Sequence, residues 1–220
     1  MRGKLMMAGA IGALTGAACL WVVSVLAAPE FHLRGGRFRP LAYGELDPAQ
    51  KALADAALAS GRTSFDGPLN INLRSPEMAN LAGPLTDYLR FKSASIPPKL
   101  KQIGIMLTAR FWGGQYVWYS HRQQALDAGL SAAFIDAMAA GERPANMTTD
   151  EAIVFDFCQE LLAARQVDDA SFKAMADRFG ERGIVELVGL MGQYHTLTML
   201  FAVDRYPLPD GAREEIDRPK

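Results

Sequence analysis

Helix start and stop signals recur along this 220-residue chain at spacings that leave room for little else. Asp47-Pro48 opens the segment AQKALADAALAS, which Gly61 follows. That is an N-cap, a proline at the first helical position and a glycine past the end. Ser75-Pro76-Glu77 repeats the opening for a segment to about Ser93, interrupted at Gly83-Pro84. Pro97-Pro98 starts LKQIGIMLTARFW, which stops at Gly113-Gly114. The spacing predicts further helices over 115–128, 131–140, 148–165, 168–180 and 181–203, with a capping box at Thr148 to Glu151. Residues 69–73 alternate weakly and are the best strand candidate. The fold class is all-α: one helical domain over 47–210, preceded by a Pro-, Gly- and Arg-rich linker or arm at 29–46 and followed by a tail, 211–220.

Half of the residues are hydrophobic and 21% are charged, an ordinary globular balance. With 23 basic against 24 acidic residues, the chain is not a strongly basic nucleic-acid binder. The apolar residues are unevenly spread. Arg2 and Lys4 precede an uncharged apolar run that ends in small residues at 28. This is the layout of a secretory signal, with cleavage between Ala27 and Ala28. An uncleaved membrane anchor is the alternative, because the run is long enough to span a bilayer. The expected location is exported, periplasmic or secreted. Of the two cysteines, Cys19 leaves with the leader and Cys158 stays. A disulfide scaffold and a thiolate zinc site are excluded. Cys158, beside Phe157 and Leu161, reads as a buried apolar residue.

The stretch from Gln102 to His121 holds the best chemical constellation. His121 lies one helical turn from Val117 and Trp118, near a helix N-terminus whose free N–H groups favour an anion. A histidine in that place suits a general acid or base, or a packed, hydrogen-bonded core residue. Gly113-Gly114 leaves room for a ligand. Arg110 can bind a substrate carboxylate or pair with Asp156 or Glu160. His195, near Met191, Thr198 and Met199, reads as core or interface, and His32 as solvated. The three histidines have no partner at metal-ligand spacing, so no metal is expected. No nucleophile elbow, phosphate loop or dinucleotide fingerprint is present.

Ile96-Pro97-Pro98 through Ala109-Arg110, then Gln115-Tyr116-Val117-Trp118-Tyr119-Ser120-His121, resembles the carboxymuconolactone decarboxylase family, within the alkylhydroperoxidase D-like superfamily. The similarity continues through Asp150-Glu151, Glu160-Leu161-Leu162 and Glu186 to Tyr194, and reaches back to Gly67-Pro68 and Ser75-Pro76-Glu77. It spans roughly residues 66–210. The resemblance implies a helical bundle assembled as a homo-oligomer, a trimer or hexamer, with pockets near subunit contacts.

This chain departs from both branches of that pattern. Where the peroxidase branch carries Glu, Cys-x-x-Cys and His, it has Gln102, Gly114, Val117 and His121. Peroxide reduction by thiols needs an attacking and a resolving sulfur, so that chemistry is disfavoured. The decarboxylase branch reads Glu-Tyr-Glu-Trp-x-x-His; here both carboxylates are replaced, by Gln115 and Val117. The resemblance then implies a cofactor-free decarboxylase- or isomerase-type enzyme for a small carboxylated lactone or related acid. His121 is the expected acid/base. Gln102 and Gln115 are expected to donate hydrogen bonds to an anionic intermediate, Tyr116 and Trp118 to shape the pocket, and Arg110 to hold a carboxylate. A non-catalytic binding or scaffold protein is the rival reading.

Overall fold

The computed structural model describes residues 31–60 and 65–217. The expected leader with Cys19, and the stop at Gly61, lie outside them. Eight α-helices form among the described residues: α1 (Pro48–Ala59), α2 (Leu69–Asn72), α3 (Pro76–Asp87), α4 (Pro98–Phe111), α5 (Gln115–Asp127), α6 (Ala132–Ala140), α7 (Thr149–Ala164) and α8 (Asp169–Asp204). The caps follow the residues that announced them. Asp47 accepts from the Gln50 N–H, Thr148 from Glu151 and Asp168 from Ser171. Gly180, at φ 71° and ψ 166°, breaks α8 into the two segments read from the sequence.

Two expectations are corrected. Residues 69–73 are a helical turn, not a strand: Asn72 N–H bonds the Pro68 carbonyl and Leu73 N–H that of Leu69. The one bridge pairing among the described residues joins Leu33 and Phe65, so there is no sheet for a strand to enter. Nor does Gly83-Pro84 interrupt α3, which runs through Pro84 to Asp87. Proline excludes helix before itself mainly by striking the preceding Cβ. Gly83 has none. The chain then continues into a π-helical turn, Tyr88–Lys92, closed by the Ser93 N–H on the Tyr88 carbonyl at 2.8 Å.

The helix buried on every side is α4, with Ile103, Ile105, Met106, Leu107 and Ala109 inside; α5, α7 and α8 pack around it. Gly104 lets α8 close in, since a Cβ there would stand 3.1 Å from Leu187 and 3.3 Å from Met191. The last segment of α8 buries Leu187, Leu190 and Phe201 and exposes Val185 and Val203. A smaller apolar cluster of Leu33, Leu46, Ala54, Phe65, Leu69 and Leu73 sits under α1.

The arm is docked. Asp204, wholly buried at the end of α8, accepts from the Gly36 and Phe38 N–H groups, and the Arg37 N–H bonds its carbonyl at 2.7 Å. Asn70 of α2 donates to the Phe38 carbonyl at 2.7 Å. Among the described residues no helix is long and apolar enough to cross a membrane.

Candidate active site

A cavity of about 420 Å³ lies between α3, the π-turn, α5 and α8. Helix α5 presents Tyr116, Val117, Ser120, His121 and Gln124 to it. These are the positions a 3.6-residue period stacks on one face. From α8 come Gln193, Tyr194, Leu197 and Phe201, and from α3 Met78, Ala82, Thr86 and Asp87. Among the described residues no group of three metal-ligating side chains is gathered.

His121 is buried, at 4% exposure, with its ring edge-on to Tyr194 at 4.9 Å between centroids. Its Nδ1 lies 2.8 Å from Gln102 Oε1. An amide oxygen only accepts, so Nδ1 carries the proton and Nε2 the lone pair. No described group hydrogen-bonds Nε2. Yet no buried side-chain nitrogen or oxygen among the described residues lacks a partner. Nε2 therefore meets the cavity. Burial, with the nearby positive charge of Arg90, pushes the imidazolium pKa down to about 3. The ring is neutral at physiological pH, a hydrogen-bond and proton acceptor. By the same reasoning the Tyr194 hydroxyl also meets the cavity, its pKa pushed up to about 12 by burial.

Of the other expected site residues, Tyr116 lines the cavity, packed edge-on against Phe201 and Tyr206, its hydroxyl pKa raised by burial. Gln102 is not on the cavity wall. Its Oε1 accepts from His121 Nδ1.

Other groups expected at the site are engaged by tertiary contacts. The Gln115 amide is used by the returning tail: it donates to the Ile216 carbonyl and accepts from the Glu215 N–H at 3.1 Å. Trp118, 1% exposed, donates to Glu215 Oε2 at 3.0 Å on the side of α5 away from the cavity. Arg110 donates to the Ala139 carbonyl near the end of α6. It pairs with neither Asp156, which Arg143 holds, nor Glu160, which accepts from the Asp168 N–H. Gly114 admits a protein group, not a ligand: a Cβ there would overlap Thr198 of α8.

His195 accepts from the Trp112 indole at 2.6 Å, outside the cavity. Cys158 is fully buried in α7, its thiol pushed up to about 12. It is the one cysteine among the described residues, so the cavity walls carry no sulfur nucleophile.

The residue that sequence reading missed is Arg90, which enters the cavity from the π-turn. Its guanidinium donates to Gln124 Oε1 at 2.7 Å. A π-turn carries no sequence signature of its own, so nothing in the linear pattern aimed this side chain at His121.

Two solved structures share the architecture. One is an uncharacterised peroxidase-related protein from Ralstonia eutropha JMP134, described as an alkylhydroperoxidase AhpD core. It has a TM-score of 0.64 and 12% identity, over 80% of this chain and 93% of that one. The fold is AhpD-like. The other, from Agrobacterium tumefaciens, is a protein of unknown function whose name links it to AhpD and antioxidant defence. It aligns at a TM-score of 0.56 and 17% identity, over 64% of this chain and 97% of that one. Identities this low carry the fold and not the chemistry. The sequence matches no protein-family profile and no curated protein.

Proposed function

We propose that this protein is a cofactor-free enzyme of the carboxymuconolactone decarboxylase type, moving a proton on a small carboxylated lactone or related acid. One observation carries the reading. A histidine oriented through Nδ1 by Gln102 presents an unprotonated Nε2 to a cavity that also contains a cation. Proton transfer needs a positioned acceptor near the acidic carbon, and neutral imidazole supplies one. A bound carboxylate beside the ring raises its basicity, because a nearby negative charge favours the imidazolium. In the isomerase form the imidazolium returns that proton to another carbon of the same substrate. In the decarboxylase form the C–C bond to the carboxylate breaks, CO2 leaves, and the imidazole, protonated from solvent, delivers the proton to the carbanion. The isomerase form of this chemistry needs no net proton and suits a histidine that is neutral in the empty site.

The experiment is turnover of carboxymuconolactone-type substrates, followed by absorbance, for wild type and His121→Asn. Asparagine keeps an N–H toward Gln102 and removes the base. Loss of kcat by about 10²–10⁴-fold is expected; equal activity would remove His121 from the mechanism.

A non-catalytic binding protein is the second reading. It is favoured by Gln102, a neutral partner where a carboxylate would strengthen the base. Ligand-induced melting shifts without turnover would select it. Thiol peroxidase activity is disfavoured by the burial of Cys158. Export of the chain and assembly as a trimer or hexamer belong to the same proposal. The latter is supported by exposed Leu81, Phe91 and Val185.

A further inference from the structure

We propose that Arg90 is a carboxylate anchor, making the cavity a site for small acids with an apolar body. The proposal deepens the reading above and rests on it for the identity of the reaction, but not for binding. Six of the thirteen arginines among the described residues pair with acids. Arg34 meets Asp66, Arg39 Glu45, Arg122 Glu215 and Asp136, Arg143 Asp156, Arg178 Asp150, and Arg182 Glu186. Arg90 has no such partner among the described residues. One of its nitrogens donates to Gln124 Oε1, and the remaining donors meet no described acceptor.

The guanidinium is nevertheless held in place. Gln124 Nε2 donates to the Ser120 carbonyl at 2.7 Å, which fixes the amide with its oxygen toward Arg90. The Phe91 ring covers the guanidinium at 4.5 Å. Behind it, buried Lys101 donates to the Ser93 carbonyl at 2.8 Å and to the Arg90 carbonyl at 3.3 Å, tying down the end of the π-turn. A planar fork with free donors in a partly desolvated hollow matches a carboxylate bidentately.

The rest of the cavity fixes the body of the ligand. Gln124 lies one turn beyond His121 on α5, about 4.5 Å along the axis. A carboxylate on Arg90 thus sets the atoms next to it beside Nε2. Met78, Ala82, Leu197, Leu200 and Phe201 supply an apolar wall for a ring or short chain. Asp66 and Asp87 also line the cavity, and their negative charge disfavours a second anionic group near them.

Benzoate and its neutral isostere benzamide separate charge recognition from shape, measured by isothermal titration calorimetry on the full chain. Wild type is expected to bind benzoate at least tenfold tighter than benzamide. Arg90→Gln should lose at least tenfold for benzoate and little for benzamide. Gln124→Glu leaves Arg90 in place but gives it an internal carboxylate, and should also weaken benzoate at least tenfold. His121→Asn should retain the preference for benzoate. Absence of benzoate binding by wild type at 10 mM, or unchanged affinity in both Arg90→Gln and Gln124→Glu, overturns the proposal. A benzoate preference lost in those two variants, with turnover indifferent to His121, would leave the anchor standing and remove the enzymatic reading.

Discussion

Burial governs the protonation of His121, and this makes stability depend on pH in a predictable sense. Its ordinary pKa of 6.5 falls to about 3 in the folded protein. Above pH 6.5 neither state binds the proton. Below it the unfolded chain takes up a proton that the folded chain refuses, so stability is lost as pH falls from 6.5 toward 3. Between pH 7 and pH 4 the loss from this residue is about 3 kcal/mol. Urea unfolding at the two pH values should show wild type losing about that much more than His121→Asn. Equal losses would mean that the folded ring protonates as easily as the free one. That His121 and Tyr116 share a face of α5 is legible from spacing, because a helical face is a local property. That Gln115 and Trp118 meet the tail is not, because their partners arrive from about a hundred residues downstream.

Helix α5 has two working faces, and what each touches decides its residues' roles. Tyr116, His121 and Gln124 face the cavity, while Gln115, Trp118 and Arg122 hold the tail. The helix boundaries were legible because proline and capping residues act on their own turn of chain. The turn at 69–72 and the π-turn were not. The first is set by the arm that Asn70 binds, and the second lies where Lys101, from another helix, holds the backbone. The arm itself hangs on Asp204. Asp204→Ala leaves the Gly36 and Phe38 N–H groups without their acceptor, at an expected cost of about 3 kcal/mol. Limited trypsin digestion checks the location of the effect. Cleavage after Arg34 or Arg37 should accelerate in the variant before the helical body is cut, and an unchanged rate would show that other contacts hold the arm.

At the scale of the whole molecule, segments far apart in sequence close on the cavity's walls from behind. The arm's Arg34 pairs with Asp66 at 2.8 Å, and Tyr206, beyond the end of α8, accepts from the Gly67 N–H at 2.7 Å. Asp66 and Gly67 line the cavity. The tail acts on the opposite face of α5, where Glu215 receives the Trp118 indole and the Arg122 guanidinium, and Ile216 is buried. Because the tail and the cavity lie on different faces of one helix, removing the tail should separate stability from recognition. A chain ending at Pro209 loses the acceptor for Trp118, the main-chain partners of Gln115 and the buried Ile216 side chain. The expected cost is about 3 kcal/mol, from one buried aliphatic side chain and the orphaned polar groups. Urea unfolding measures that cost. Tryptophan emission should move to longer wavelength as water reaches Trp118, while the benzoate preference set by Arg90 should stay within about threefold of wild type, under 1 kcal/mol. Loss of that preference with emission unchanged would mean that the tail supports the cavity side of α5 instead of its outer face.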